Sequence, residues 1–301
     1  MIKGIMPPIT TPFKDGEVAY DKLAQNIVRW NKTGLSGFVV MGSNGEAVFL
    51  TREEKLRLVE ETKKNIGSGK KLIAGTGSDS IKETISLSND VFERGADYAL
   101  VMTPSFYKGS MNSGAFIRYF TAVADGTRVP IIIYNVPKFT GVDIQVDAIA
   151  RLTEHRNIVG IKNSCENSAQ TAEIIASVPK DFSVLVGTAS VLYPGLAAGA
   201  TGGILALANI AADECVHLQR LFHEGRHEEA SKLQKKLIPV NKAVTSRYGV
   251  PGLKAAMDMV GYFGGEPRCP LTELTTAERD DLASVLKSAG LLRDWQSLGK
   301  L

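Results

Sequence analysis

The chain has 301 residues, 44% of them hydrophobic, which suits one large domain or one domain with an appended piece. A formal net charge of only +3, spread along the sequence, leaves no footprint for nucleic acid or a membrane surface. No run of about 18 apolar residues predicts a membrane span. The three cysteines, Cys165, Cys215 and Cys269, are too scattered for a disulfide framework or a CxxC zinc pattern, so a reducing, cytoplasmic setting is expected.

The first apolar run, 4–9, ends among prolines that also break any signal-peptide core. A helical pattern over 21–32 carries Leu23, Ile27, Val28 and Trp30 and stops near Gly34, before a second apolar run at 37–41. Thr51, with Glu54 three residues on, predicts a capping box opening the next helix, whose apolar face continues through Leu56, Leu58 and Val59. Further apolar runs follow at 72–74, 99–102, 131–134, 158–162, 183–186 and 203–207, with helical patterns at 81–94 and 113–124 between them. Most are rich in Val, Ile or Leu and bounded by Gly, Pro, Ser or Asn, as strands buried on both faces read.

Eight such strands alternating with helices predict an α/β fold, a closed (β/α)8 TIM barrel. A doubly wound open sheet would more often have five or six strands and a Gly-rich phosphate loop after the first. Beyond about residue 210 the strands give way to helical patterns at 213–223, 228–237, 241–260 and 276–288. The expected organisation is a barrel with its active site over 1–224 and a small C-terminal helical subdomain over 225–301.

Active sites of such barrels lie at the C-terminal ends of the strands. The sixth run ends Gly160-Ile161-Lys162, and a lysine closing an apolar strand is unusual. If its face points into the barrel, burial disfavours the ammonium, and the neutral amine can attack a ketone to form an imine. The plainer alternative is a strand-end lysine reaching out to solvent. Tyr134 ends the neighbouring run and could relay protons, against the plainer role of an aromatic filler. The turn Gly42-Ser43-Asn44-Gly45-Glu46 allows a tight backbone nest for a carboxylate, with Ser43 and Asn44 adding short polar side chains. Gly187 and Gly203, after the seventh strand and entering the eighth, have no cation beside them. Close packing or room for a substrate fits them better than a phosphate site. His223 and His227 have i, i+4 spacing, but Gly225 between them points to a solvated helix end and no metal.

Taken together, these segments resemble the dihydrodipicolinate synthase / N-acetylneuraminate lyase family of class I aldolases. The likeness covers essentially the whole chain. It includes Pro8-Ile9-Thr10-Thr11-Pro12-Phe13, the GSNGE turn, Thr103-Pro104, Tyr134-Asn135-Val136-Pro137 and Gly160-Ile161-Lys162. It implies Lys162 as the imine lysine, Tyr134 as proton relay, and Ser43 and Asn44 as carboxylate ligands. It further implies pyruvate and small 2-oxo acids or aldehydes as substrates, no metal or cofactor, and a homotetramer built as a dimer of dimers.

Within the family, the segments 42–46, 107–111, 202–209, 250–254 and 261–265 are similar to the 4-hydroxy-2-oxoglutarate aldolase branch, which also implies a substrate contact from Ser164. The expected reaction is therefore cleavage of a 4-hydroxy-2-oxo acid, such as 4-hydroxy-2-oxoglutarate or a 2-keto-3-deoxy sugar acid, to pyruvate and an aldehyde. The alternatives are condensation of pyruvate with aspartate semialdehyde and, in another class, a non-catalytic keto-acid-binding protein. Two departures bear on the choice. Phe139 stands where the synthases usually hold a carboxylate-binding arginine, with Lys138 beside it. Phe106 stands where the family commonly has a relay tyrosine that enters the neighbouring subunit's site, so either Tyr107 swings in or the catalytic relay is shortened to Ser43 and Tyr134.

Overall fold

The structure, a computed structural model, describes residues 1–292; the last nine positions of the expected C-terminal subdomain, 293–301, lie outside the described residues. Eight parallel strands form one sheet: β1 Gly4–Met6, β2 Gly37–Val40, β3 Lys71–Gly75, β4 Tyr98–Met102, β5 Ile131–Asn135, β6 Ile158–Asn163, β7 Ser183–Val186 and β8 Gly202–Ile204. From β2 to β8 each strand pairs with its sequence neighbours, and β1 pairs with β8 through Gly4 opposite Gly202. A parallel bridge between Pro8 and Val39, with Ile9 N–H bonded to Val39 O at 2.9 Å, closes β1 onto β2. The predicted (β/α)8 barrel is therefore present. Its last strand is shorter than the apolar run suggests, because Ala206–Asn209 turns into a 3-10 helix.

Period-two alternation sorts the strand side chains into two layers. Met6, Val39, Ile73, Leu100, Ile132, Leu185 and Ile204 fill the barrel's interior. Their neighbours Val101, Ile131, Ile133, Ile161 and Val184 point outward onto the helical ring. That ring contains α1 Tyr20–Trp30, α2 Arg52–Asn65, α3 Ile81–Glu93, α4 Ser113–Gly126, the short α5 Pro137–Thr140, α6 Val146–Leu152, α7 Ser168–Ser177 and α8 Leu192–Ala198, and α2 opens on the expected Thr51–Glu54 capping box.

The C-terminal region consists of α9 Ala212–His223, α10 His227–Lys242, α11 Gly249–Met259 and α12 Thr276–Ser288. The sequence reads 228–237 and 241–260 as separate helices. Instead α10 runs on past Pro239 and joins α11 through a π-helical turn, Ala243–Arg247. Leu237, Val240, Leu253, Met257 and Leu282 share one buried cluster with barrel-side residues such as Ile5, Phe38 and Leu207, so these helices are packed onto the barrel. Among the described residues no helix is long and apolar enough to cross a membrane.

Candidate active site

Strand register sets the site. On β4–β7 the residues Met102, Tyr134, Lys162 and Leu185 stand side by side in one inward-facing level. Lys162 lies near the end of β6, where an inward side chain meets the mouth of the barrel; it is buried, with 3% exposure. Its Nζ sits 4.0 Å from the centroid of the Tyr134 ring. Among the described residues no carboxylate pairs with it, and Tyr134 faces it with both its ring and its hydroxyl.

Tyr134 Oη lies 3.3 Å from Ser43 Oγ, and either can donate. Burial alone would raise the phenol's pKa, but the Lys162 charge and the hydroxyls of Ser43 and Ser164 outweigh it, and the net direction is downward. Ser164 Oγ is buried without a hydrogen bond of ordinary length, though it still favours the phenolate. Ser164 itself is fixed by its N–H on Asn135 O at 2.9 Å.

The backbone of the Ser43 turn is unusual. Ser43–Gly45 is a 3-10 turn, entered from Met41 at φ 56° and left through Glu46 at φ 54°. Both are non-glycine residues in the left-handed region, a strained arrangement that persists only where the surroundings enforce it. Asn44 is half-buried beside Ser43.

The structure thus brings Lys162, Tyr134, Ser43 and Ser164 together, with Asn44 next to Ser43. Gly187 adjoins them by necessity: a Cβ there would fall 1.9 Å from Ser164 Oγ and 2.7 Å from Ser164 Cα. Gly203 is used for packing, since its Cβ would meet the Leu205 and Val186 side chains. Tyr107 is not at the site of its own chain; it is 73% exposed and stacks edge-on against Phe106, itself 79% exposed. Phe139 is 59% exposed, and the Lys138 ammonium beside it donates to Thr245 O at 3.0 Å.

Sequence reading missed the polar layer behind the site. Asn135 and Asn163 each follow a site residue on its strand and point outward, where alternation calls for apolar side chains. Both are fully buried. Asn135 Nδ2 donates to Asp143 at 2.7 Å and to Asn163 Oδ1 at 2.9 Å, while Asn163 Nδ2 donates to Thr171 Oγ1 at 3.2 Å. This bridge ties β5 to β6 immediately behind Tyr134 and Lys162. Asn163→Ala is expected to lower unfolding free energy by about 2 kcal/mol, because Asn135 loses a buried partner. Urea denaturation measures it, and unchanged stability would show the bridge to be dispensable.

The sequence profile of the dihydrodipicolinate synthetase family matches residues 1–289. The chain belongs to the dihydrodipicolinate synthetase family. It is 37% identical over 294 residues to the 4-hydroxy-tetrahydrodipicolinate synthase of Thermodesulfovibrio yellowstonii, covering 97% of this chain and 100% of that one. Among solved structures it is similar to dihydrodipicolinate synthase from Aquifex aeolicus, with a TM-score of 0.90, 34% identity, and 97% and 100% of the two chains covered. It is also similar to YagE, a prophage protein of the same family from E. coli K12 solved in complex with pyruvate, with a TM-score of 0.90, 29% identity, and 97% and 99% covered. Like the family, the protein is a class I pyruvate-dependent aldolase, a carbon–carbon lyase.

These relatives overturn one expectation. Sequence reading favoured cleavage of a 4-hydroxy-2-oxo acid, whereas relatives at this identity over nearly the whole chain are named as 4-hydroxy-tetrahydrodipicolinate synthases. Several positions behind that expectation serve packing, while Tyr107, in another of those fragments, is exposed. Asn209 is buried, accepts from Trp30 Nε1 through its carbonyl at 3.1 Å and donates to Pro8 O. Gly252 and Leu253 are buried within α11. Such positions preserve the fold of the family and do not select an aldehyde.

Proposed function

We propose that the protein is a 4-hydroxy-tetrahydrodipicolinate synthase, condensing pyruvate with aspartate semialdehyde through an imine on Lys162. The observation that carries this reading is the buried Lys162 ammonium over Tyr134, with Ser43 on the phenol's other side. The named relatives supply the choice of aldehyde.

Lys162, once neutral, attacks the C2 ketone of pyruvate, and Tyr134 protonates the carbinolamine oxygen so that it leaves as water. The Ser43 and Asn44 side chains, with the first amides of their 3-10 turn, hold the carboxylate. The imine is an electron sink, so the Tyr134 phenolate takes a C3 proton and an enamine forms. Its C3 attacks the aldehyde carbon, and Tyr134 returns a proton to the new alkoxide. The cyclic product requires the semialdehyde's own amine to attack C2, which closes the ring and frees Lys162. This chemistry uses side chains and substrates alone, with no cofactor. Ser164 and Gly187 shape the wall beside the imine, and Gly203 acts only through packing.

The exposed Phe106 and Tyr107 suit burial by a second copy of the chain, which is how Tyr107 would reach a relay; we extend this to a homotetramer, acting in the cytoplasm. The semialdehyde's carboxylate finds Phe139 where synthases have arginine. Phe139→Arg is therefore expected to lower KM for the semialdehyde about tenfold, the scale of one charged hydrogen bond, with little change in KM for pyruvate. Steady-state kinetics with each substrate varied reads both, and an unchanged KM would place the carboxylate elsewhere.

The function itself is tested by pyruvate consumption with and without aspartate semialdehyde, alongside borohydride trapping of the pyruvate imine and peptide mass mapping. An adduct on the Lys162 peptide and semialdehyde-dependent consumption are expected. Consumption that ignores the semialdehyde would overturn the choice of substrate, and a missing adduct would overturn the chemistry.

A further inference from the structure

Glu46 and Lys254 are each only 1% exposed at the side chain, and they pair with Lys254 Nζ 2.5 Å from Glu46 Oε1. Neither takes part in the proposed reaction. Lys254 comes from α11, outside the eight βα units, and also donates to Glu266 O at 2.6 Å while lying 4.4 Å from the Phe13 ring centroid. The other Glu46 oxygen accepts from the Arg268 N–H at 2.8 Å. The Arg268 guanidinium continues along the same segment, donating to Phe49 O and Gly16 O and clasping Glu54 at 2.6 and 2.8 Å. Burial holds the Lys254 pKa below the ordinary lysine value even with Glu46 beside it.

A buried ion pair is a poor device for stability alone, because desolvation cancels much of its attraction and an apolar pair of similar volume often serves as well. Its location suggests a different use. Glu46 is the left-handed residue that ends the Ser43–Gly45 turn, and Met41, at the other end, shares that conformation. Among the described residues the only other non-glycine residue with positive φ is Asp15, in the hairpin at residues 13–18. Thr11 Oγ1 bonds Gly45 O at 2.7 Å, which pins the turn from the side of β1. The turn is thus held on one side by the barrel's first loop and on the other by a charge from the C-terminal helices.

We propose that Glu46 and Lys254 are positioning residues that hold the Ser43–Asn44 turn in its strained, carboxylate-binding shape, so that the C-terminal helical region sets the affinity for pyruvate. This rests on the reading of Ser43 and Asn44 as carboxylate ligands. Releasing Glu46 lets residues 42–46 relax toward ordinary backbone angles, which moves both ligands off the carboxylate while leaving Lys162 in place on β6.

The test uses the full chain with Glu46→Gln, Lys254→Met, and the volume-matched neutral double variant. For each, the pyruvate concentration giving half-maximal borohydride trapping is measured with kcat, KM and the thermal midpoint. All three variants are expected to need at least about tenfold more pyruvate for half-maximal trapping, while kcat at saturating pyruvate falls less than about threefold. The double variant should recover most of the thermal midpoint lost by the singles and none of the pyruvate affinity. A purely structural role gives another pattern: less trapped protein at saturation, with the half-saturating concentration unchanged. Parental half-saturation in the double variant, or its return together with the thermal midpoint, would overturn the proposal. An adduct in the parent protein with unchanged variants defeats the positioning role alone. No adduct in the parent defeats the functional reading beneath it.

Discussion

Lys162→Ala is expected to abolish the borohydride-trapped pyruvate adduct and lower kcat/KM by on the order of 10³-fold or more, about 4 kcal/mol of transition-state stabilisation. The effect is large because the amine is the proposed covalent partner, and among the described residues no other lysine shares its position in the barrel mouth, level with Tyr134 and Leu185. Loss of folding is a weak rival explanation: the ammonium is buried without a carboxylate partner among the described residues, so its removal strands no opposite charge. Lys162→Arg sharpens the experiment. It keeps a cation near the Tyr134 ring but supplies no primary amine, and should be as inactive as the alanine variant. Activity retained in either variant would end the imine mechanism.

Tyr134→Phe should cost about 10²- to 10⁴-fold in kcat, the range expected when a positioned acid–base group is removed. The ring remains beneath Lys162, so packing and the cation–aromatic contact persist while the hydroxyl bonded to Ser43 is lost. Pyruvate trapping should still reach completion, only slowly, because proton transfer limits formation of the imine and not its geometry. A single-turnover time course separates the two cases. The direction of the Tyr134 pKa supports the role: burial opposes ionisation, but Lys162 and two serine hydroxyls overcome it, which makes the phenol a readier donor than a free tyrosine. Ser43→Ala should reproduce a smaller part of the same slowing. A Tyr134→Phe enzyme at full kcat would assign the relay to another group.

The barrel was legible because strands buried on both faces leave continuous apolar runs, and because helix starts such as Thr51 carry local hydrogen-bonding chemistry. The last strand was overextended: Leu205 and Leu207 are as apolar as strand residues, yet they are buried by a 3-10 turn. Lys162 and Tyr134 stand out as polar residues ending apolar strands, but alternation alone does not say which face is inside; the register with Met102 and Leu185 does. The aldehyde was misjudged because buried glycines, Asn209 and the start of α11 imitate a substrate signature while serving packing. Glu46 with Lys254, and Asn135 with Asn163, were invisible as partners. Their pairing depends on register and on tertiary approach, and neither leaves a periodic trace in the sequence.

The pairing of Gly4 with Gly202 has a consequence for biogenesis. The strand made first on the ribosome has one of its sheet neighbours made last. At roughly 5–20 residues per second, the amino-terminal strand waits on the order of ten seconds or more for that partner. Until then its second edge stays open, while β2 and the loop before it hold the other through Ser36 N–H on Ile5 O, Val39 N–H on Pro7 O and Ile9 N–H on Val39 O. Three residues make a poor template for wrong pairing, and the prolines that follow cannot donate to one. The brevity of β1 and the proline pair after it thus protect the nascent chain during the interval in which the barrel cannot close.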